Sequence, residues 1–375
     1  MPPAWRYIGE ERSKKDDGRW KMEDVRGMIV IADDITGAAE IAGIAHGHGC
    51  PVSLLCGLVG CDSVAAKRTT VIATDTRSMS EAEAVAETRC LTSHLSPLSS
   101  LLFKKTDSAL RGHVVAELKT LMETTGYQRA VYLPANPSKG RIIKDGKYYI
   151  NGIPIDQTDF SFDPEFPAKT AVLRERFPDA EVNGILMPDA ETVEDIQRIV
   201  AQYNDGKTLF AGAADLFKAI GTRGTRDSRD TIDTTDSTIL LCGSTQSKPL
   251  DINIPVSPMP LDIYDGNKDI KGWLEEAGAV YEREGSLMIT IPFRHRTGKG
   301  VAVHLREMTA ILIQGLIARR QPQQLIIEGG ASAFATLQRL GWNELEVVSQ
   351  IAPGVIKTKA PNGTFVIMKP GSYPW

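Results

Sequence analysis

The sequence predicts an α/β protein of two domains, each with a mostly parallel sheet flanked by helices. Short apolar runs alternate with helical patterns along the chain, beginning with the run MIVIAD at residues 28–33. These runs are continuously apolar rather than alternating, which is typical of parallel strands that are buried on both faces. The chain has 375 residues and so exceeds one typical domain of about 150 residues.

The elements of the first half follow this alternation in order. We predict strands at MIVIAD, PVSLLC, TTVIATDT, LLFKKTDS and AVYLPAN, and helices at TGAAEIAGIAHGHG, SEAEAVAETRCLTSHL and HVVAELKTLMETTG. The segment RIIKDGKYYI breaks the pattern, because Asp145–Gly146 between its halves is a strong two-residue hairpin signal. A long ordered loop of a length that is often functional follows, and the α/β pattern resumes at EVNGILMPD and KTLFAG.

A polar stretch at residues 221–237, GTRGTRDSRDTIDTTDS, marks the boundary between the two domains. The strands of the second domain are predicted at TILLCGS, SLMITIP, QLIIEGG and TFVIMKP. The charged N-terminal stretch is interpreted as a disordered tail, an additional docking segment or sequence upstream of a later start. We therefore predict an N-terminal extension at residues 1–27, a first domain at 28–225, a linker region at 226–237 and a second domain at 238–375.

The composition favours a small-molecule ligand over a polymer or a membrane. The net charge is −4 and aromatic residues make up 6% of the chain, without a basic stripe that would indicate nucleic acid. There is no uninterrupted apolar run of about 18 residues, and the N-terminus lacks the apolar core of a secretory signal. The five cysteines form no CxxC and no zinc spacing. We expect a cytoplasmic protein with reduced thiols, with no nucleic-acid or membrane partner, and a homodimer as the prior.

An acidic pair, Asp33–Asp34, stands at the end of the first predicted strand. Ligands of open α/β sheets bind beyond the carboxyl ends of strands, so the position predicts a functional site. Because consecutive residues of an extended chain face opposite ways, one carboxylate is expected to face the site. The other would cap the following helix or bind a cation. Taken alone, such a pair is more often one helix cap and one solvated acid.

A second cluster of charged residues lies in FKKTDSALRG at residues 103–112, at a predicted strand–helix junction. Its Lys105, Asp107, Ser108 and Arg111 indicate a corner that binds a carboxylate or a phosphate. Arg77 in ATDTRSM follows another predicted strand and is a candidate for a second carboxylate contact. The alternatives are a capped helix with a surface pair between Asp107 and Arg111, and a solvated Arg77.

Two glycine turns in the second domain follow predicted strands and precede predicted helices. They are LLCGSTQS, with Gly243–Ser244, and LIIEGGASAF, with Gly329–Gly330. Backbone N–H groups at such helix N-termini can approach phosphates, although neither turn matches GxxxxGK[ST] or GxGxxG. Together with APGV at 352–355 and KPGS at 369–372, they favour a nucleotide site.

Taken together, these motifs resemble the four-carbon acid sugar kinase family. The resemblance is carried, in order from about residue 28, by IADDITGAAEIAG, ATDTR, KKTDSALRG, YLPANPSKGRIIKDGKYYINGIPIDQTDF, the GST turn, EGGASAFATLQRLG, IAPGVIKT and VIMKPGSYP. Members of this family phosphorylate threonate, erythronate or related oxo-acids with ATP. The resemblance implies an enzyme that uses ATP and Mg²⁺, with the acid sugar in the first domain, the nucleotide in the second and the active site in the cleft between them.

The resemblance also implies roles for individual residues, which match the family's motifs one by one. Asp33 and Asp34 match the family's substrate-site motifs, and we hypothesise that they are catalytic, one of them accepting the proton of the attacking hydroxyl or orienting that hydroxyl. The implied substrate contacts are Arg77, Lys105, Asp107, Ser108 and Arg111, and the implied nucleotide contacts are Ser244, Glu328, Gly329, Gly330, Ala331 and Gly371.

The second domain departs from the family's pattern at its glycine turn and at its end. The turn reads EGGAS where the family has TGGDT or TGGET, so Glu328 replaces a hydroxyl residue and Ala331 replaces an acid. The closing segment reads KPGSYP in place of KSGGFG. These departures keep open a non-catalytic acid-sugar sensor with a degenerate nucleotide site. A dehydrogenase is disfavoured because GxGxxG is absent, and an aldolase would need Lys104 or Lys105 as its Schiff-base lysine.

Overall fold

The computed structural model describes residues 28–57, 69–95, 101–163, 165–221, 230–233, 236–243, 252–292 and 299–371. The strands in these ranges are β1 Ile29–Ala32, β2 Val52–Cys56, β3 Thr69–Ala73, β4 Leu102–Lys105, β5 Arg129–Leu133, β6 Arg141–Lys144, β7 Lys147–Ile150, β8 Ile153–Pro154, β9 Ile185–Leu186, β10 Thr208–Gly212, β11 Thr238–Cys242, β12 Val256–Pro258, β13 Leu287–Thr290, β14 Gln324–Glu328, β15 Glu344–Ala352, β16 Val355–Lys359 and β17 Phe365–Lys369. The helices are α1 Ile35–Gly47, α2 Glu81–His94, α3 Val114–Thr125, α4 Leu173–Arg176, α5 Val193–Tyr203, α6 Ala214–Gly221, α7 Leu261–Tyr264, α8 Lys271–Glu284, α9 Lys299–Arg319 and α10 Gly330–Leu340.

The chain divides into two compact units. The first unit comprises Met1–Asp33 and Gly60–Thr225, and the second comprises Asp34–Val59 and Arg226–Trp375. The division after Thr225 adjoins the linker region predicted from sequence. The segment Asp34–Val59 belongs to the second unit, whereas the sequence placed it in the first domain. Its strand β2 pairs with β15 and its helix α1 packs on β15 and β16, which explains this membership.

The first unit is built on a fully parallel sheet, as its apolar runs predicted. The strand order is β3-β1-β4-β10-β5-β9, and each neighbouring pair runs parallel. Strands β1, β3 and β4 are buried along their whole length, in agreement with their continuous apolarity. Within this unit, the next strand after β1 is β3, which lies on one side of β1, and the strand after that, β4, lies on the other side. The crevice beyond such a reversal of strand order is where open α/β sheets bind ligands.

A three-stranded antiparallel sheet, β6-β7-β8, interrupts the parallel pattern of the first unit. Strands β6 and β7 form the predicted hairpin, with Lys144 opposite Lys147. The turn residues Asp145 and Gly146 both have positive φ, at 50° and 69°, as a type I′ turn requires. The hairpin that the sequence predicted is therefore confirmed.

The second unit has a sheet that is parallel in one part and antiparallel in the other. The order β12-β13-β11-β14-β17 is parallel throughout. Strands β16, β15 and β2 then continue the sheet with antiparallel pairings. The APGV segment forms the tight turn between β15 and β16, where Gly354 has a φ of 81°. A short turn of this kind can join only antiparallel neighbours, because parallel strands need a longer crossover.

Helix α9 is, within the described ranges, the helix that is long and apolar enough by length and composition to cross a membrane. It packs against α8 and α10 of the second unit. Its Leu312, Ile313 and Leu316 are fully buried there. Gly315 permits the close approach to α8, because a Cβ at this position would lie 2.6 Å from a methyl carbon of Leu274. The helix thus contributes one face to the core of this unit.

Candidate functional site

Three charged side chains meet beyond the carboxyl ends of β1, β3 and β4 in the first unit. Asp33 follows β1, Arg77 lies just after β3 and Asp107 lies just after β4. Arg77 donates from Nε and Nη2 to the two carboxylate oxygens of Asp33, at 3.0 and 2.9 Å. Its Nη1 lies 3.7 Å from Oδ1 of Asp107. The structure therefore brings together residues that the sequence identified separately as candidates at strand ends.

Asp107 also binds Arg111, the residue four positions further along. Arg111 donates from Nε and Nη2 to the carboxylate at 3.0 and 2.9 Å, and the backbone N–H of Ala109 donates to Oδ2 at 2.8 Å. The Nη1 of Arg111 lies 3.6 Å from Oδ2 of Asp163, in the loop after the hairpin. Asp107 is 7% exposed, so this is a largely desolvated pairing and not the surface pair of the alternative interpretation.

The ionisation of Asp107 depends on its cationic neighbours. Burial alone would raise the pKa of this carboxyl group, but the charges of Arg77 and Arg111, the hydrogen bond from Arg111 and the charge of Lys105 outweigh it. The pKa is thereby held well below its usual range. The carboxylate is charged at every pH at which the protein would normally work, and it holds the two arginines in place.

Asp107 should therefore make the folded state sensitive to acid. A depressed pKa in the folded state stabilises the protein above the unfolded pKa, and this stabilisation is lost as the pH falls towards the folded value. The difference in unfolding free energy between the wild type and Asp107→Asn should be constant above about pH 5. Below about pH 4 it should shrink by up to about 1.4 kcal/mol per pH unit. Urea unfolding from pH 7 to pH 2.5 measures it, and a difference that stays constant to pH 3 would contradict the prediction.

The two acids of the Asp33–Asp34 pair have different surroundings. Asp33 is 2% exposed and bound to Arg77. Asp34 is the N-cap of α1, where it accepts a hydrogen bond from the N–H of Gly37 at 2.8 Å and another from the hydroxyl of Thr36. The structure thus separates the pair as expected for an extended chain, with one member in the arginine network and the other at a helix start.

Of the two lysines before Asp107, only Lys105 belongs to this network. Its Nζ donates to the backbone carbonyl of Thr106 at 3.0 Å, and its charge contributes to the low pKa of Asp107. Lys104 faces the other side of the sheet, where it forms a fully buried ion pair with Glu117 of α3. Lys104 is therefore not a cation of the site, although it stands beside Lys105 in the charged cluster FKKTDSALRG.

Ser108 lies beside residues of the hairpin and of the loop after it that the sequence did not identify as candidates. Arg141, at the start of β6, donates to the hydroxyl of Ser108. The hydroxyl of Tyr148 on β7 donates to the backbone carbonyl of Ser108 at 2.6 Å. The ring of Phe160 lies 5.9 Å from the guanidinium carbons of both Arg111 and Arg141. The long ordered loop, whose length already indicated function, could have pointed to Phe160, whereas Arg141 and Tyr148 lie on the hairpin before it.

In the second unit, the candidate nucleotide residues lie at the end of β14 and the start of α10. Glu328 is fully buried, with Oε1 3.7 Å from Nζ of the equally buried Lys369. Gly329 is the N-cap of α10, with a φ of 100°, and Ala331 is exposed in the first turn. Gly371 follows β17, and Ser244 lies outside the described residues. The buried pair places the charge of Glu328 in the interior of the unit and neutralises it there.

A small pocket of the second unit borders this turn and the N-terminus of α1. Its empty volume is about 180 Å³, and its lining includes Thr36, Gly329, Gly330, Gly354 and Lys369. A Cβ at Gly330 would lie 2.7 Å from the methyl carbon of Thr36, so glycine is required where the two helix starts approach. The pocket is narrow and does not by itself offer room for a nucleotide.

Two family models match successive parts of the chain. A sugar-binding N-terminal domain model matches residues 28–180, and a nucleotide-binding C-terminal domain model matches residues 271–373. The arginine–aspartate network falls within the first match, and the turn after β14 falls within the second. The fold and these matches define a class of α/β proteins that combine a sugar-binding and a nucleotide-binding domain in one chain.

Curated relatives narrow the class to a family. The chain is 30% identical over 153 residues to a D-threonate kinase of Salmonella typhimurium, covering 40% of this chain and 35% of the relative. It is 32% identical over 151 residues to a 3-oxo-tetronate kinase of Brucella melitensis, covering 39% of this chain and 34% of the relative. It is 32% identical over 146 residues to a D-erythronate kinase of Heliobacterium modesticaldum, covering 37% and 33%. The matches thus span about a third of each relative's length. Together with the two domain models, they show that the chain belongs to the four-carbon acid sugar kinase family.

Solved structures show the same fold over nearly the whole chain. A crystal structure from Salmonella typhimurium LT2 has a TM-score of 0.72 and 16% identity, and it covers 92% of this chain and 96% of its own. A Haemophilus influenzae protein has a TM-score of 0.65 and 20% identity over the same shares. At these identities the likeness establishes the fold alone.

Proposed function

We propose that the protein is an ATP-dependent kinase that phosphorylates a terminal hydroxyl of a four-carbon sugar acid of the threonate, erythronate or 3-oxo-tetronate type. The observation that carries this proposal is the network of Asp33, Arg77, Asp107 and Arg111 at the strand ends of the first unit. It lies inside the segment that resembles sugar-binding domains, in a chain that also matches a nucleotide-binding domain.

The substrate side of the proposal uses the fixed cations of this network. Arg77 and Arg111 are held in defined orientations by carboxylates, so little rotamer entropy is left to lose when an acid binds. Guanidinium groups suit a carboxylate because they offer two parallel N–H donors. Lys105 adds charge, and Ser108 offers a hydroxyl for the polyol part of the substrate. Binding the acid end would fix the position of the distal hydroxyl.

The nucleotide side of the proposal rests on the turn after β14. The N–H of Gly329 donates to the carbonyl of Lys369 at 2.9 Å, but α10 begins at Gly330 and no side chain caps its N-terminus. An uncapped helix N-terminus presents N–H groups and a positive dipole end, which suit a phosphate. Ala331, Gly371 and Ser244 remain proposed contacts. Glu328 is buried with Lys369 and would support the turn from beneath.

Magnesium would accompany the phosphates of ATP. Among the described residues there is no cluster of three or more histidine, cysteine or acidic side chains that could hold a metal ion. Mg²⁺ commonly binds through substrate phosphates and water with only one or two carboxylates, so such a cluster is not required. In this proposal Mg²⁺ neutralises phosphate charge.

The chemical step would depend on positioning and on charge, as phosphoryl transfer generally does. Asp34 would orient the attacking hydroxyl or accept its proton, and Asp33 would keep Arg77 in place. The cations of the network would hold the acid so that only one hydroxyl can react.

We also propose that the protein acts in the cytoplasm and that it assembles as a homodimer, the commonest oligomer of soluble proteins.

The test is a coupled ADP-release screen of the full chain with ATP and Mg²⁺ over D-threonate, D-erythronate and 3-oxo-tetronate. At least one acid should give steady turnover, and the corresponding neutral four-carbon polyol should give much less. The phosphorylated product should be identified by mass. If none of the acids and their stereoisomers stimulates ADP release above the rate without acid, the proposed function is wrong.

The second candidate function is an acid-sugar sensor that does not catalyse. It is favoured by one observation, the EGGAS turn, where Ala331 is exposed in place of an acid. Calorimetry with ATP and Mg²⁺ separates the two functions. Intact acid binding without nucleotide binding would support the sensor, whereas binding of both ligands would support the kinase.

A further inference from the structure

Arg141 stands at a rigid point of the chain, at the start of β6. Its backbone carbonyl accepts a hydrogen bond from the N–H of Asn136 at 2.7 Å. The preceding Gly140 has a φ of 66°, and its carbonyl accepts a hydrogen bond from the N–H of Asn151 at 2.7 Å. A Cβ at Gly140 would collide with the side chain of Asn151, so only glycine fits there. The backbone that carries Arg141 is therefore well defined.

A buried carboxylate anchors the turn that leads to Arg141. Asp215 of α6 is 2% exposed and accepts hydrogen bonds from the N–H and the hydroxyl of Ser138, at 2.9 and 2.8 Å. The amide of Asn136, with its nitrogen turned towards Asp215, donates to both oxygens at 2.9 and 3.1 Å. Lys218 supplies a further contact at 3.1 Å. Arg141 is thus placed by residues that do not themselves belong to the arginine network.

The arginines around Ser108 differ in what already binds them. Arg77 is paired with Asp33 and Asp107, and Arg111 is paired with Asp107 and Asp163. Arg176 donates to backbone carbonyls, among them that of Leu110 at 2.9 Å, and so holds the loop. Arg141 contacts the hydroxyl of Ser108 and the ring of Phe160. In the described part of the chain, no carboxylate lies within 4.0 Å of its guanidinium group.

The region as a whole carries more positive than negative charge. Its cations are those of Arg77, Arg111, Arg141, Arg176 and Lys105. Its carboxylates are those of Asp33, Asp107 and Asp163, so the cations are in excess. A guanidinium group that is already paired with a carboxylate gains less from a second anion than one that has none. Phe160 covers one side of Arg141 and keeps part of it away from water, which strengthens any charge-assisted hydrogen bond made there.

We propose that Arg141 binds the carboxylate group of the sugar acid and makes the site selective for acids over neutral sugars. The proposal rests on the proposed function, because it names the residue that recognises the substrate's charge. Ser108, held by Arg141, would then contact the hydroxyl next to the carboxylate. Arg77 and Arg111 would add their charge and their remaining N–H donors to this contact.

The test compares the full-length wild type with Arg141→Met, which removes the charge and keeps most of the side-chain volume, and with Arg141→Lys. Calorimetry without nucleotide measures the affinity for the best acid of the screen and for its uncharged carboxamide. Arg141→Met should weaken acid binding by about 10- to 100-fold, the usual value of a hydrogen bond to a charged group. It should leave binding of the carboxamide within about threefold, so that the preference for the acid is largely lost. Arg141→Lys should lie between the two.

Lys144→Met is the matched control, because Lys144 lies on the same strand but is exposed and paired with Glu191 outside the network. It should bind the acid within twofold of the wild type, and thermal melting should show all variants folded. Equal acid affinity and preference in the wild type and Arg141→Met would overturn the proposal, and so would a wild type that binds no four-carbon acid. If Arg141→Met is unstable, an unchanged preference in Arg141→Lys overturns it equally. A wild type that binds acid through Arg141 but releases no ADP would refute the kinase function and leave this proposal standing.

Discussion

Replacement of Asp34 by asparagine is expected to lower kcat by about 10²- to 10⁴-fold, the usual contribution of a general base or of the group that orients a nucleophile. The fold should stay intact, because asparagine is as good an N-cap as aspartate and can still accept from the N–H of Gly37. The loss of negative charge at the start of α1 should cost at most about 1 kcal/mol of stability. The variant therefore separates the charge of Asp34 from its role as a helix cap.

Two further variants complete this experiment. Asp34→Ala removes both the charge and the cap, so it should match Asp34→Asn in activity but lose about 1 kcal/mol more of unfolding free energy. Asp33→Asn leaves Arg77 with a weakened partner, so its main effect should be a raised KM for the acid. Steady-state kinetics and thermal melting are the measurements. If Asp33→Asn and Asp34→Asn both retain wild-type rates, the assignment of this pair is wrong.

Replacement of Glu117 by alanine should give the largest loss of stability, about 3–5 kcal/mol, because it leaves the charge of Lys104 buried without its carboxylate. Both side chains of this pair are 1% exposed, and the hydroxyl of Thr76 also donates to Glu117 at 3.0 Å. Urea unfolding of the wild type and the variant measures the loss. Because Thr76 precedes Arg77, the variant should also bind the acid more weakly.

Glu123→Ala is the matched control for this prediction. Glu123 lies on the same helix, α3, and forms an exposed ion pair with Arg89, so its removal should cost less than about 1 kcal/mol. The double variant Lys104→Met/Glu117→Leu should recover most of the stability, because it removes both buried charges and keeps the volume. A loss below about 1 kcal/mol in Glu117→Ala, or a double variant no better than the single one, would contradict the prediction.

The sequence identified the members of the arginine–aspartate network separately, as candidates at strand ends, and their meeting has a physical reason. Its members follow strands of a parallel sheet, and the carboxyl ends of parallel strands meet at one edge. Asp33, Arg77 and Asp107 could therefore be placed together without knowledge of the tertiary structure. The division of Asp33 and Asp34 between two surroundings also followed from the alternation of side chains in an extended chain.

Other features could not be derived from local patterns. β2 reads as one more buried strand of the first domain, but its partner β15 is about 290 residues further along, and no local signal announces that pairing. Glu328 was a nucleotide contact implied by the resemblance, whereas the structure buries it in an ion pair with Lys369 of β17. Arg141 lies on a hairpin and not at the end of a parallel strand, so arguments from strand ends did not reach it.

The discontinuous composition of the second unit bears on how the chain can fold during synthesis. β2 leaves the ribosome early, but β15, its partner, is made only after the whole of Gly60–Thr225. At about 5–20 residues per second, the wait lasts roughly 15–60 seconds. During this time the apolar strand VSLLC lacks its partner β15, and its unpaired edge can pair wrongly with other nascent chains or be bound by chaperones. The first unit can complete its own sheet within that interval. We therefore expect the yield of folded protein in the cell to depend on translation speed, and not only on the stability of the two units.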